Sequence, residues 1–351
     1  MPTLTIDRRL AALPPGTIDL HTHAIDPALI DVNAPGESTF PTVRRQSGDR
    51  AELLIGGRCY RQLDKRSWSI PARLRDMDAE GVAAQVLSPV PITLSHDGPA
   101  AAAGRLAQAQ NDFLASLVAQ QPTRFFALGA VPLQDPAAAI TELVRCMEQL
   151  HFVGVEIGSR VGAWELANPE LLPFFQAAAA LSAVVFVHPV DRMLDPRLAA
   201  LGIGFGLGMP AETALAGAGM LIGGTLDAAA GLRLCLAHGG GALPAVLPRL
   251  ARGEQLAGVP EQDRRASSGA RRLWSDSLTY DAASLALAAN RFGSDHIVLG
   301  TDYPFTAREA PAGAVLAELP AGLREPLGRG NALAMFSRAG AAQPIASGAP
   351  R

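Results

Sequence analysis

Short runs of Val, Ile and Leu alternate with Ala-rich stretches of helical spacing along most of the chain. Parallel strands covered on both faces by crossover helices give this alternation, because they are apolar throughout instead of at every second residue. The strand candidates are Thr17 to His23, Val82 to Val90, Phe125 to Leu133, Phe152 to Gly158, Ala183 to Val190, Leu232 to Gly240, Trp274 to Tyr280 and His296 to Phe305. Helical candidates between them include Pro71 to Glu80, Ala100 to Gln120, Asp135 to Leu150, Pro169 to Leu181, Pro210 to Ile222 and Asp281 to Arg291. Several open with a proline in the first turn, where a missing N–H costs nothing. The pattern predicts an α/β fold of the (β/α)8 TIM-like barrel type. An open doubly wound sheet is the rival, but its glycine fingerprint would follow the first strand, and that strand ends in His21-Thr-His23. The glycine-rich run Gly202-Ile-Gly-Phe-Gly-Leu-Gly208 comes after the fifth strand and reads as a flexible loop over the barrel mouth.

Two segments break the repeat. Residues 24–70 form a long, polar, Arg-rich connection with turn signals at Ala34-Pro-Gly36 and Ile55-Gly-Gly57. Connections of this length in a compact domain are usually functional, and this one is expected to be a small lid insertion at the active face. Residues 1–338 are therefore read as a single barrel domain, and Ala339 to Arg351 as a poorly ordered tail.

Candidate chemistry lies at the strand ends. His21 and His23 are two apart, so alternation in a strand points both to one side, which in a barrel is the interior. His188, His238 and Asp302 each end a different apolar run. In a parallel barrel all five converge at the C-terminal mouth, where barrel enzymes do their chemistry. Three imidazoles and a carboxylate suit zinc or a similar divalent ion while leaving a position open. His21, His23, His188 and Asp302 are the expected metal ligands, and His238 the general acid/base, with Asp302 also serving in proton transfer. Spacing leaves open the opposite allocation, with His238 on the metal.

Composition narrows the partners. With Lys plus Arg at 30 against Asp plus Glu at 33, the 351-residue chain has a net charge of −3 and offers no electrostatic footprint for nucleic acid or an acidic membrane. Cys59, Cys146 and Cys235 are too few and too scattered for a disulfide framework, which points to a reducing, cytoplasmic setting. No signal-peptide pattern opens the sequence, and the longest apolar run, Ala177 to Val187, is too short to cross a bilayer.

The motifs Asp19-Leu-His-Thr-His23, Arg75-Asp-Met-Asp-Ala-Glu-Gly81, Val131-Pro-Leu-Gln-Asp135, Val187-His-Pro189, Met209-Pro-Ala-Glu-Thr213, His238-Gly-Gly-Gly241 and Gly300-Thr-Asp-Tyr-Pro-Phe305 resemble, in order, the amidohydrolase superfamily. Within it they are similar to the aminocarboxymuconate semialdehyde decarboxylase-like branch. The resemblance implies one divalent metal ion, zinc or manganese, in a distorted barrel, non-oxidative decarboxylation of an unsaturated or aromatic carboxylic acid, and a homodimer. It also implies a carboxylate-binding role for Arg61 and a role for Arg249 in the neighbouring subunit's site. Binuclear relatives bridge two metals through a lysine on the fourth strand, but Phe152-Val-Gly-Val-Glu-Ile-Gly158 has none, and Lys65 is the chain's only lysine. Glu156 in that strand is either an occasional extra ligand or, as the favoured reading, a supporting or surface carboxylate. The branch's decarboxylase carries a tryptophan after the His-Pro of the fifth strand where this chain has Val190, so the pocket shape is expected to differ. The alternative activity is metal-dependent hydrolysis or hydration of a lactone, amide or C=C bond.

Overall fold

The computed structural model describes residues 5–35 and 39–337. The expected tail from Ala339 and part of the Ala34-Pro-Gly36 turn lie outside these residues. Strand β1 (Thr17–Ala24) leads into an insertion of three short strands, β2 (Thr42–Arg45), β3 (Arg50–Ile55) and β4 (Arg58–Asp64), which pair antiparallel in the order β2-β3-β4. The barrel resumes with β5 (Val82–Pro89), β6 (Phe125–Gly129) and β7 (Gly154–Gly158). A small ribbon of β8 (Arg160–Val161) and β9 (Trp164–Glu165) follows, then β10 (Val184–His188), β11 (Arg233–Leu236), β12 (Trp274–Asp276) and β13 (Ile297–Val298). The eight barrel strands are parallel in the order β1-β5-β6-β7-β10-β11-β12-β13. Closure comes from Leu20 N donating to Leu299 O at 2.8 Å and His23 N donating to Tyr303 O at 2.7 Å.

Helices α1 (Ile6–Ala11), α2 (Ile70–Glu80), α3 (Ala100–Gln120), α4 (Pro136–Val144), α5 (Leu172–Ala180), α6 (Pro196–Ala200), α7 (Met209–Ile222), α8 (Thr225–Ala228), α9 (Leu243–Leu256), α10 (Ala282–Phe292), α11 (Ala321–Glu325) and α12 (Asn331–Phe336) connect and cover the strands. Outward residues such as Val155, Ile157, Val185 and Val187 pack against these helices, while Ala84, Val86, Phe126, Phe186 and Val298 fill the interior above α1 and α12. The stretch Gly204–Ile222 is long and apolar enough to cross a membrane, with a mean hydropathy of 1.2. Its Thr213, Ala214, Gly217, Met220 and Leu221 are buried, so one face of it is used as a barrel cover.

Three local differences from the expected pattern matter. The pairing register of β1 shifts between Asp19 and Thr22, and a bulge of this kind re-aims side chains. Ile18 and Leu20 accordingly join the interior core while His21 and His23 reach the mouth. The sixth and eighth strands are much shorter than their apolar runs, because the chain leaves the sheet before the functional residue. His238 and Asp302 lie past β11 and β13 with φ of 58° and 67°, and Gly241 is required beside His238, since a Cβ there would be 2.2 Å from Pro210 O. Finally, Gly204–Gly208 is a wide helical turn entering α7, not an open loop.

Candidate metal centre and substrate cavity

His21 and His23 come from β1, His188 from the end of β10, and Asp302 from the turn after β13. All four are buried, and one ligand atom from each lies within 4.8 Å of the others. Their tautomers follow from their outer partners. His21 Nδ1 donates to Asp276 Oδ2 at 2.6 Å, His23 Nδ1 to Pro89 O at 2.7 Å and His188 Nδ1 to Pro189 O at 2.7 Å. With each Nδ1 committed outward, the Nε2 lone pairs face inward, the second-sphere arrangement typical of metal-ligating histidines.

The inward atoms are crowded and alike. His21 Nε2 and His23 Nε2 are 3.1 Å apart, and they lie 3.4 and 3.1 Å from Asp302 Oδ1. His188 Nε2 and Asp302 Oδ1 are buried without a hydrogen-bond partner. Lone pairs packed this way repel unless positive charge sits between them, so the donor set fits a divalent cation. The neighbouring carboxylates likewise favour positive charge at this point. Burial opposes charge on His21, yet its hydrogen bond to Asp276 and the nearby Asp302 carboxylate push its pKa up to about 10. Burial lowers His23 to about 4 and takes His188 well below the ordinary histidine value. For Asp302 burial works upward, but His21 and His23 beside it hold the carboxyl well below its usual range.

Asp276 carries no sequence signal. It ends β12 inside the mixed run Trp-Ser-Asp-Ser-Leu, where no apolar strand marks a tip. One carboxylate oxygen takes the His21 proton, and the other accepts from Gly239 N at 2.8 Å. Asp276 therefore fixes both a cluster histidine and the turn that carries His238. The His238 ring is 4.9 Å from that of His188 and 5.4 Å from that of His21, between centroids. Its Nδ1 has no hydrogen-bond partner, and burial together with the charge of His21 lowers its pKa. Behind β1, Asp19 accepts from Thr301 Oγ1 at 2.6 Å and from His21 N at 3.2 Å, while the fully buried Arg73 donates to the His23 carbonyl.

A cavity of about 270 Å³ opens onto the cluster, lined by His188, His238 and Asp302 and also by Tyr60, Arg61 and Asp191. The insertion thus supplies one wall. The Tyr60 hydroxyl donates to the Asp191 carboxylate, joining β4 to the turn after β10. The Arg61 guanidinium lies 3.8 Å over the Phe305 ring, and that ring stacks on His23 with centroids 5.1 Å apart and planes at 21°. Arg66 also lines the cavity, held by Asp64.

A model of the amidohydrolase family matches residues 18–338. The chain belongs to the amidohydrolase family. Among curated amidohydrolase relatives, it is 34% identical over 325 residues to a 2-amino-3-carboxymuconate-6-semialdehyde decarboxylase of Dictyostelium discoideum, with 90% of each chain covered. It is 29% identical to a gamma-resorcylate decarboxylase of Polaromonas sp., covering 66% of this chain and 76% of that one. A solved 5-carboxyvanillate decarboxylase of Novosphingobium aromaticivorans, complexed with manganese and a hydroxy-methoxy-nitrobenzoic acid, superposes with a TM-score of 0.67 at 25% identity, covering 76% of this chain and 79% of that one.

Other residues of this amidohydrolase fall elsewhere. Lys65 pairs with Asp49 at 2.7 Å and stays out of the cluster. Glu156 is no surface carboxylate. Alternation in β7 turns it inward with Gly154 and Gly158, fully buried, 3.8 Å from His23 Nδ1, and burial pushes its pKa up to about 8. Arg249 lies on α9 in an outer groove with Ile222, Val246 and Leu250, away from its own chain's cavity. Cys146 and Cys235 are buried and their thiols are pushed up by burial, as expected of inert packing residues.

Proposed function

We propose that the protein is a metal-dependent, non-oxidative decarboxylase of an unsaturated or aromatic carboxylic acid. The observation that carries this reading is the inward-facing His21, His23, His188 and Asp302 set with an unligated His238 beside it, in a cavity that Arg61 also lines. These four residues would hold one divalent ion, which when bound supplies electrophilic charge to substrate oxygens. Zinc suits the three-imidazole, one-carboxylate set, and manganese is the alternative, as in the Novosphingobium relative.

Arg61 offers the planar fork that takes a carboxylate by two parallel hydrogen bonds. His238, with Asp302, delivers a proton to the ring or chain carbon bearing the departing carboxylate. That carbon then gives up its C–C bonding pair to the adjacent electron sink as carbon dioxide leaves, so one proton is consumed for each carbon dioxide released. The curated decarboxylase relatives support this class of reaction. A homodimer would bring Arg249 to a neighbouring cavity, a reading supported by its place among exposed apolar side chains such as Ile222 and Val246.

The test is carbon dioxide release from metal-loaded protein offered aminocarboxymuconate semialdehyde and hydroxylated benzoates. Turnover is expected with at least one class, and His238→Ala should lower it by about a thousandfold or more. Hydrolysis or hydration products without carbon dioxide would contradict the reading.

A further inference from the structure

His238 separates two spaces. Besides the cavity that holds Arg61, a second compartment of about 260 Å³ lies against its ring, and Phe205, Met209 and His238 line both. Two of the shared side chains are adaptable, since Phe205 is half exposed and methionine is unbranched. Both are largely apolar, but their polar groups differ. The first carries Arg61, Arg66, Asp191 and Tyr60, whereas the second is walled by Pro210, Leu278 and Tyr280 with Thr279 and Ser284 at its edge.

The hydroxyls of the second compartment are already committed. Tyr280 donates to Ala307 O at 2.9 Å, Thr279 donates to Asp281 O at 3.0 Å, and Ser284 is hydrogen-bonded to the Asp281 carboxylate. A polar occupant would lose water there without gaining these partners, which costs affinity, while an apolar one would gain by burial. We propose that this compartment is a substrate subsite for an apolar substituent, so that the acid decarboxylated here carries a short alkyl or aryl group on the side opposite the carboxylate held by Arg61. The inference rests on the decarboxylase reading and narrows it. It makes the substrate amphiphilic, with its reacting carbon beside His238 and its two ends in compartments of unlike polarity.

Binding of non-reacting analogues tests it on metal-loaded protein. The probes are 2-nitrophenols with and without a propyl group at each ring position, with dissociation constants read from nitrophenolate absorbance. At one ring position the propyl group is expected to tighten binding by about tenfold or more, as burial of three carbons predicts. Ser284→Phe, at an exposed position on the edge of the compartment, should bring that ratio to about one. Leu278→Ala should instead extend the preference to a longer, butyl group, which keeps the inference testable if either variant folds poorly. A propyl effect near one at every position, or one that survives Ser284→Phe, overturns the subsite and leaves the decarboxylase reading standing. Failure of every nitrophenol to bind overturns both.

Discussion

At the barrel mouth, each cluster histidine is locked through its second nitrogen and wholly buried, whereas across the cavity Arg61 is half-buried and oriented by the ring faces of Phe305 and Tyr60. Strand ends and closing backbone hydrogen bonds set the first group; a hairpin of an inserted sheet sets the second. In the proposed function the buried centre sets the type of chemistry, and the wall selects the substrate. The two meet where Phe305 lies against both Arg61 and His23.

Breaking the rigid side should have the largest effect. His188→Ala and Asp302→Ala are each expected to abolish stoichiometric metal binding and lower carbon dioxide release by about a thousandfold or more, read by metal analysis and gas evolution. Asp276→Asn keeps the shape but weakens the acceptor for His21 Nδ1, so metal affinity should fall by about 10- to 100-fold in competition with a chelator. On the wall, Arg61→Ala should raise KM by about tenfold or more while metal content stays at one ion per chain, and Arg61→Lys should restore little because an ammonium cannot present the same fork. Equal loss of metal in Arg61→Ala would erase the distinction between the two regions.

A smaller effect concerns His96, buried with Nε2 3.2 Å from Val131 O and held by burial at a pKa of about 4. The folded state keeps this ring neutral, while the unfolded chain protonates it near 6.5. Stability is thus complete above about pH 6.5 and falls as pH drops toward 4, by roughly 2 kcal/mol at pH 5. Denaturant titrations at pH 7.5 and 5 should show this loss in the wild type and less of it in His96→Gln.

Much of this was legible in the sequence, for reasons particular residues make plain. His21, His23, His188 and Asp302 stood out because each follows an apolar run whose direction in a parallel barrel is fixed, and the structure brings them together. Arg61 could be placed only by resemblance, since its contact with Phe305 joins positions far apart in sequence. Asp276 escaped notice because β12 is short and polar at its end, and Glu156 needed the true phase of β7 before its inward direction was evident. The positive φ at His238 and Asp302 was likewise invisible, because nothing in their apolar runs says where the chain leaves the sheet.

In the proposed function one catalytic ion is held by His21, His23, His188 and Asp302. Metal-free protein titrated with zinc or manganese, with carbon dioxide release followed on a responsive acid, tests it directly. Activity is expected to rise linearly and break at one equivalent per chain. Full activity in the presence of a strong chelator, or a break at two equivalents, would contradict it.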